Sequence, residues 1–249
     1  MYKLKDIENL ENHYLEKFFH FFKFTEDELF IGFQTKEKIK KDWIDIWQPK
    51  NSNKGISSFS TGAERIVYAL FNGKGLGQPN SAPVGSDLFF EMSKAFVHID
   101  LKTVQTRNIG DFNTSIFVGS NQNSYDGNIK LKNGKKRNYK PALPYIYENS
   151  GDPKPCLTFF VTILYYEKTL DILNINLLSM PNGKLKNYYG SEILKAGKTR
   201  NEVRYKFSNA PNFKLLDNKK RIKVVYFNEK MDDKWLKKLS FIENIYREQ

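Results

Sequence analysis

Two acids and an amine stand close enough in this sequence to act together. Asp100 and Lys102 are two positions apart and follow the apolar run Phe96, Val97, His98, Ile99. A second carboxylate, Asp87, precedes Asp100 by thirteen residues on another apolar run. Two carboxylates and the carbonyl of Leu101 between Asp100 and Lys102 are hard oxygen donors of the kind that hold magnesium. An amine beside such a cation can orient or deprotonate water, or stabilise the charge that builds on a pentavalent phosphorus. The chemistry that suits this combination is phosphodiester hydrolysis, in which a cation offsets the charge that repels the nucleophile.

That chemistry requires the three groups on one side of a sheet. If Glu91 pairs with Phe96 across a four-residue loop, Asp87 falls opposite Asp100. Residues two apart on a strand share a face, so Asp100 and Lys102 point one way. Val97, Ile99 and Leu101 point the other way, towards a helix. The spacing of Ala63, Ile66, Val67 and Leu70 predicts that helix over residues 61–72, ended by Asn72 and Gly73. Glu64 has two readings on it: capping-box partner of Thr61, or a further acid assisting the metal.

The remaining elements follow from pattern. Residues 5–24 carry Leu10, Tyr14, Phe18, Phe21 and Phe22 on one helical side, and a second helix is expected over 35–47 with Trp43, Ile46 and Trp47. Pro49 and residues 51–55 break the chain, and a Gly- and Pro-rich loop spans 73–85. Strands are expected at 86–90, 116–118, 157–166, 170–179 and 222–227, with a closing helix at 232–247. Residues 119–156 are polar, with weak periodicity. There is no repeat of 20–50 residues. The expected architecture is a single α/β domain over 1–249, a mixed central β-sheet flanked by helices with an inserted polar segment. Its core covers about 60–180, with N-terminal helices over 5–47.

Composition narrows the partner. The 249 residues hold 40 Lys plus Arg against 28 Asp plus Glu, a formal charge of +12. Such a field captures polyanions. Cys156 is the single cysteine, which excludes an intramolecular disulfide and a cysteine-based zinc site. The chain opens on charged residues without the apolar segment of a secretory signal, and no run reaches the length of a membrane span. A cytoplasmic bacterial protein that does not meet a membrane is expected. Gly197, Lys198 and Thr199 look like the end of a P-loop, but Glu192 stands where the motif needs glycine.

At Ser86-Asp87, Asp100-Leu101-Lys102 and the upstream Glu64, the chain resembles the PD-(D/E)xK nuclease superfamily, especially type II restriction endonucleases. Thr103 after the lysine adds to the likeness, which covers roughly residues 60–120; Ser86 departs from it, standing where proline is usual. The resemblance implies a restriction-endonuclease-like core in which Asp87, Asp100 and the Leu101 carbonyl hold Mg2+, Lys102 activates water and Glu64 assists. It implies too that manganese can take the place of magnesium. It implies hydrolysis of double-stranded DNA to 5′-phosphate and 3′-hydroxyl ends, by a homodimer whose subunits each cut one strand. Two rivals remain: a non-catalytic basic nucleic-acid-binding protein, and a repair or mobile-element nuclease of the same superfamily.

Segments that could read DNA are amide-rich or basic. Gln105, Thr106, Arg107 and Asn108, then Asn121, Gln122 and Asn123, could pair with base edges, or could simply form ordinary loops. Lys130, Lys132, Lys135, Lys136, Arg137 and Lys140 form the densest positive run and could track phosphates, or be solvated around a turn at Asn133 and Gly134. Lys214, Lys219, Lys220, Arg221 and Lys223 form a second run, and Lys195, Lys198, Arg200 and Arg204 a third. His98, on the face of Asp100, reads as a packed histidine or as a phosphate or metal contact. His13 and His20 have no third ligand nearby.

Overall fold

Two apolar runs dictate the centre of the molecule. Lys154–Tyr165 and Ile172–Met180 are buried along their whole lengths. They are rich in Val, Ile, Leu and Phe, the composition of strands covered on both faces. The computed structural model describes residues 2–39, 59–73, 78–79, 87–131, 133–149, 151–167, 169–197 and 202–249. Helices α1 (Leu4–Phe24), α2 (Glu26–Ile39) and α3 (Phe59–Gly73) come first. Strands follow: β1 (Gln78–Pro79), β2 (Leu88–Glu91), β3 (Phe96–Gln105), β4 (Ile116–Val118), β5 (Gly127–Lys130), β6 (Lys136–Tyr139) and β7 (Ile146–Tyr147). The two central runs are β8 and β9. Next come α4 (Lys186–Tyr189), β10 (Leu194–Ala196), β11 (Val203–Tyr205), β12 (Ile222–Phe227), α5 (Asp233–Lys238) and α6 (Ser240–Glu248).

The main sheet is mixed, as expected. Its order is β1-β2-β3-β8-β9-β12, with β7 joined to the start of β8. Only β3 and β8 run parallel, in register from Phe96 opposite Cys156 to Gln105 opposite Tyr165. A parallel pair needs a long crossover, and residues 106–153 supply it. Most of the polar segment expected over 119–156 lies within this crossover, but its last residues, Lys154–Cys156, are buried and open β8. The crossover contains β4, which joins β10 and β11 in a second sheet, and the hairpin β5–β6, which turns at Gly134 with φ +79°.

Helices α1 and α3 cover the face carrying Val97, Ile99 and Leu101. Phe71 of α3 stacks on Phe90, the cross-strand partner of Val97, with ring centroids 5.7 Å apart. Phe18 of α1 meets Phe159, the partner of Ile99, edge-on at 5.2 Å. Each buried aromatic removes a large apolar surface from water, so this layer dominates the hydrophobic stabilisation.

Several expected boundaries move. The second helix begins at Glu26, well before residue 35. Its first turn holds Glu26, Asp27 and Glu28, which favour a helix N-terminus, and Leu29 and Phe33 are buried one turn apart. Residues 40–58, with Trp43, Ile46 and Trp47, lie outside the described residues, as do 74–77 and 80–86 of the Gly- and Pro-rich loop. Helix α3 starts at Phe59, so Thr61 is inside it and forms no capping box with Glu64, whose Oε1 instead accepts from Ser60 Oγ at 3.2 Å. The closing helix is two helices, broken at Leu239. Among the described residues no helix is long and apolar enough to cross a membrane.

Candidate active site

The hairpin register holds as expected. Glu91 pairs with Phe96 and Leu88 with Ile99, and one step further places Asp87 across from Asp100. Asp87 Oδ2 accepts the Leu101 N–H at 2.7 Å, which fixes the first acid to the strand that carries the second. β3 is buried from Phe96 to Leu101 and partly exposed from Lys102 onward. The strand therefore leaves the core between the acid and the amine. Asp100 is 3% exposed, and the Lys102 ammonium pairs with its Oδ2 at the mouth of the site. The same ammonium lies over Phe160 of β8 at 5.9 Å and Phe117 of β4 at 5.7 Å. A cleft of about 310 Å³ opens between Lys102, Phe117 and Ser60. A larger one of about 510 Å³, beside Tyr145 and Lys184, contains none of these groups.

Burial and like charge shape the acids. Burial pushes the Asp100 carboxyl up to about 7; Asp87 adds to the rise and Lys102 opposes it. Glu64 is raised too, first by burial and then by the charge of Asp87. Asp100 Oδ2 is buried, and the Lys102 ammonium is the group that reaches it.

Among the described residues no three His, Cys, Asp or Glu side chains gather closely enough to hold a metal by themselves. The donors brought together here are the Asp87 and Asp100 carboxylates, with the Leu101 carbonyl next after Asp100 in the chain. That set fits magnesium, which is bound through one or two carboxylates and keeps several waters.

Gln122 completes the cluster, and sequence reasoning placed it elsewhere, among candidate DNA contacts. Its Nε2 donates to Asp100 Oδ1 at 2.6 Å, and its Oε1 accepts from Lys102 Nζ at 3.1 Å. No spacing signal could have joined it to Lys102, because the link depends on where β4 packs. His98 is the packed histidine: it stacks on Phe89 at 4.2 Å, bonds Tyr147 Oη at 2.8 Å, and burial lowers its pKa to about 4.

The other DNA candidates divide by exposure. Arg107 and Asn108 are exposed on the turn after β3, with Arg107 paired to Glu167 at 3.0 Å. Thr106 beside them is buried, and Gln105 is partly buried and bonds Tyr165 Oη at 3.3 Å. Asn121 is exposed. Asn123 is buried and ties its own loop through Gly119 O and Tyr139 Oη. Lys135 and Lys136 stand exposed on the β5–β6 hairpin, while Arg137 bonds the Glu202 carbonyl at 3.0 Å. Arg204 is buried and committed to Asp111 at 2.6 Å. Lys198 and Arg200 lie outside the described residues, as does Lys132. Arg221, expected in a surface cluster, is 1% exposed and sits between Glu8 and Glu11.

Known proteins bear on this arrangement. Residues 3–169 match a family model described as the N-terminal domain of the type II restriction enzyme MwoI, and residues 172–227 match the model of its central domain. The fold is similar to that of the restriction endonuclease BglI bound to its DNA recognition sequence, with a TM-score of 0.67 and 16% identity over 88% of this chain and 90% of that one. It is also similar to the tetrameric restriction endonuclease SfiI bound to cognate DNA, with a TM-score of 0.63 and 15% identity over 92% of this chain and 87% of that one. Likeness at such identities shows the fold. No curated protein sequence matches the chain.

Proposed function

We propose a function on one premise: the chain belongs to the type II restriction enzyme family of MwoI, whose members are site-specific deoxyribonucleases. This enzyme hydrolyses both strands of double-stranded DNA at a specific sequence, depends on magnesium, and leaves 5′-phosphates and 3′-hydroxyls. Manganese substitutes for magnesium. It acts as a homodimer, because two-fold symmetry gives each strand of a palindromic site its own set of catalytic groups. The observation that carries the reading is the placement of Asp87 and Asp100 on adjoining strand ends, with Lys102 paired to Asp100 at the mouth of a cleft.

Asp87, Asp100 and the Leu101 carbonyl hold the ion. Magnesium neutralises phosphate charge and acidifies water. Lys102 sits where it can orient the attacking water and stabilise the negative charge that develops on the phosphoryl oxygens. Glu64 feels the charge of Asp87 and contributes to the field that favours a cation. The +12 charge supports capture of DNA, and the exposed face of the β5–β6 ribbon, with Asn128, Lys130, Lys136 and Asn138, is narrow enough for a major groove.

Incubation with a defined phage DNA, with and without magnesium, tests the proposal. A ladder of discrete fragments that appears only with metal is the expected result. Salt-sensitive binding with no cut under any condition would leave a binding protein, and nicking confined to damaged or branched DNA would make it a repair enzyme.

A further inference from the structure

Gln122 lies twenty residues beyond Lys102, at the end of the short turn Ser120–Gln122 that follows β4. Its side-chain amide is held on both sides. Oε1 accepts the Gly119 N–H at 2.7 Å and the Lys102 ammonium at 3.1 Å, and Nε2 donates to Asp100 Oδ1 at 2.6 Å. Gly119 N–H and the ammonium can only donate, and an ionised Asp100 can only accept. The amide therefore has one satisfying orientation; turned over, it would set donor against donor and acceptor against acceptor. The turn is itself fixed. Gln122 N–H returns to Gly119 O at 3.1 Å, and the buried Asn123 amide donates to the same carbonyl at 2.9 Å. A side chain at residue 119 would crowd the arrangement, since a Cβ there would lie 3.3 Å from the Gln122 amide.

We propose that Gln122 is a positioning residue for the cleavage reaction: its amide holds the Asp100 carboxylate and the Lys102 ammonium in one geometry and leaves Asp100 Oδ2 directed at the cation. The inference rests on the metal-dependent nuclease reading above. By capping Oδ1, Gln122 removes the rotation that would let Asp100 offer either oxygen. By accepting from Lys102, it gives the ammonium a second fixed partner beside the acid it pairs with. Asparagine is one methylene too short to span the same three partners. Glutamate would place a like charge against Asp100 and lose the donor.

The test uses the full-length protein. Manganese binding to the DNA-free enzyme is measured by calorimetric titration, steady-state cleavage gives kcat and KM, and DNA affinity is measured without metal. Gln122→Ala is expected to weaken manganese binding and lower kcat by about 10- to 100-fold, the usual cost of losing a partner that orients a metal ligand. KM and metal-free DNA affinity stay within about twofold of the original, a margin set by ordinary surface substitutions. Gln122→Met and Gln122→Glu keep the volume and are expected to show the same loss, which separates the lost amide from a lost fold if the alanine variant unfolds. Unchanged manganese affinity and kcat in a folded variant would overturn the proposal. So would a change confined to KM and DNA affinity, which would make Gln122 a DNA contact. A wild-type protein that neither binds manganese nor cuts DNA would instead refute the nuclease reading itself.

Discussion

The molecule buries charge in two places and treats it in opposite ways. Under α1, Arg221 is enclosed by Glu8 and Glu11, with its guanidinium 2.7 Å from Glu11 and sandwiched between the rings of Tyr189 and Phe213 at 4.5 and 4.2 Å. The carboxylates find further donors: Asn182 N–H reaches Glu11 at 2.6 Å, and Lys214 and Leu215 N–H reach Glu8 at 2.9 and 2.8 Å. On β3, Asp100 is almost as deeply buried, yet its carboxylate is reached only by one side-chain amide and one ammonium among the described side chains, and that ammonium stands at a cleft mouth. The first cluster is closed and ties the N-terminal helix to the far end of the sheet. The second opens on a cleft. Burial of charge is common to both; access from the cleft separates them.

Substitutions can separate the two. The largest effect is expected from Lys102→Ala, which should cut cleavage by about 10³-fold or more while leaving specific DNA binding unchanged. Cleavage at the wild-type rate would remove Lys102 from the mechanism and with it one side of the comparison. Arg221→Met should do the reverse. It strands two buried acids and is expected to cost about 3–5 kcal/mol of stability in denaturant titration, with the cleavage rate per folded molecule preserved. If that variant folds normally but does not cut, the closed cluster is part of the site after all.

Asp100→Asn sharpens the contrast by improving stability while abolishing cleavage. A carboxyl raised from 3.8 to about 7 favours the folded state below about pH 4 and loses that contribution as the pH rises through 7. Above pH 7 the metal-free protein thus carries an unfavourable buried charge. The variant should be more stable than the original by about 2 kcal/mol at pH 8.5, roughly half of the full shift at 1.36 kcal/mol per unit, and equal to it near pH 3. Melting curves at the two pH values check this, and a destabilised variant at pH 8.5 would mean that the Lys102 pair outweighs the burial. The smallest effect belongs to exposed charge outside both clusters. Replacing Lys130 and Lys136 with alanine should leave kcat unchanged and lower the slope of log affinity against log salt by about 2, as loss of two phosphate contacts predicts. An unchanged slope would take the ribbon off the DNA path.

How much of this was legible in the sequence depended on the distance over which each feature is decided. The alignment of Asp87 with Asp100 follows from a four-residue loop and the two-residue period of a strand, both local, so the register could be worked out from the chain alone. The central strands announced themselves by unbroken apolar runs. Gln122 could not be assigned, because its role is set by the packing of β4 beside β3. Arg221 was grouped with Lys219, Lys220 and Lys223, since a buried arginine and a solvated one look alike in a basic run. Its partners lie more than 200 residues away. The acidic start of α2 was a readable signal that the later tryptophans outweighed. Arg204 and Asn123 have residue types that suit DNA, but their neighbours Asp111 and Tyr139 use them to hold loops.

The boundary between the two family matches falls in the turn between β8 and β9. Those strands are neighbours, paired from Thr158 opposite Met180 to Tyr165 opposite Ile172. A fragment ending at that boundary would present one whole edge of the most apolar strand in the protein, a row of unpaired amides and carbonyls open to any passing chain. The two matched segments thus share one sheet, and each supplies a strand the other needs as its neighbour.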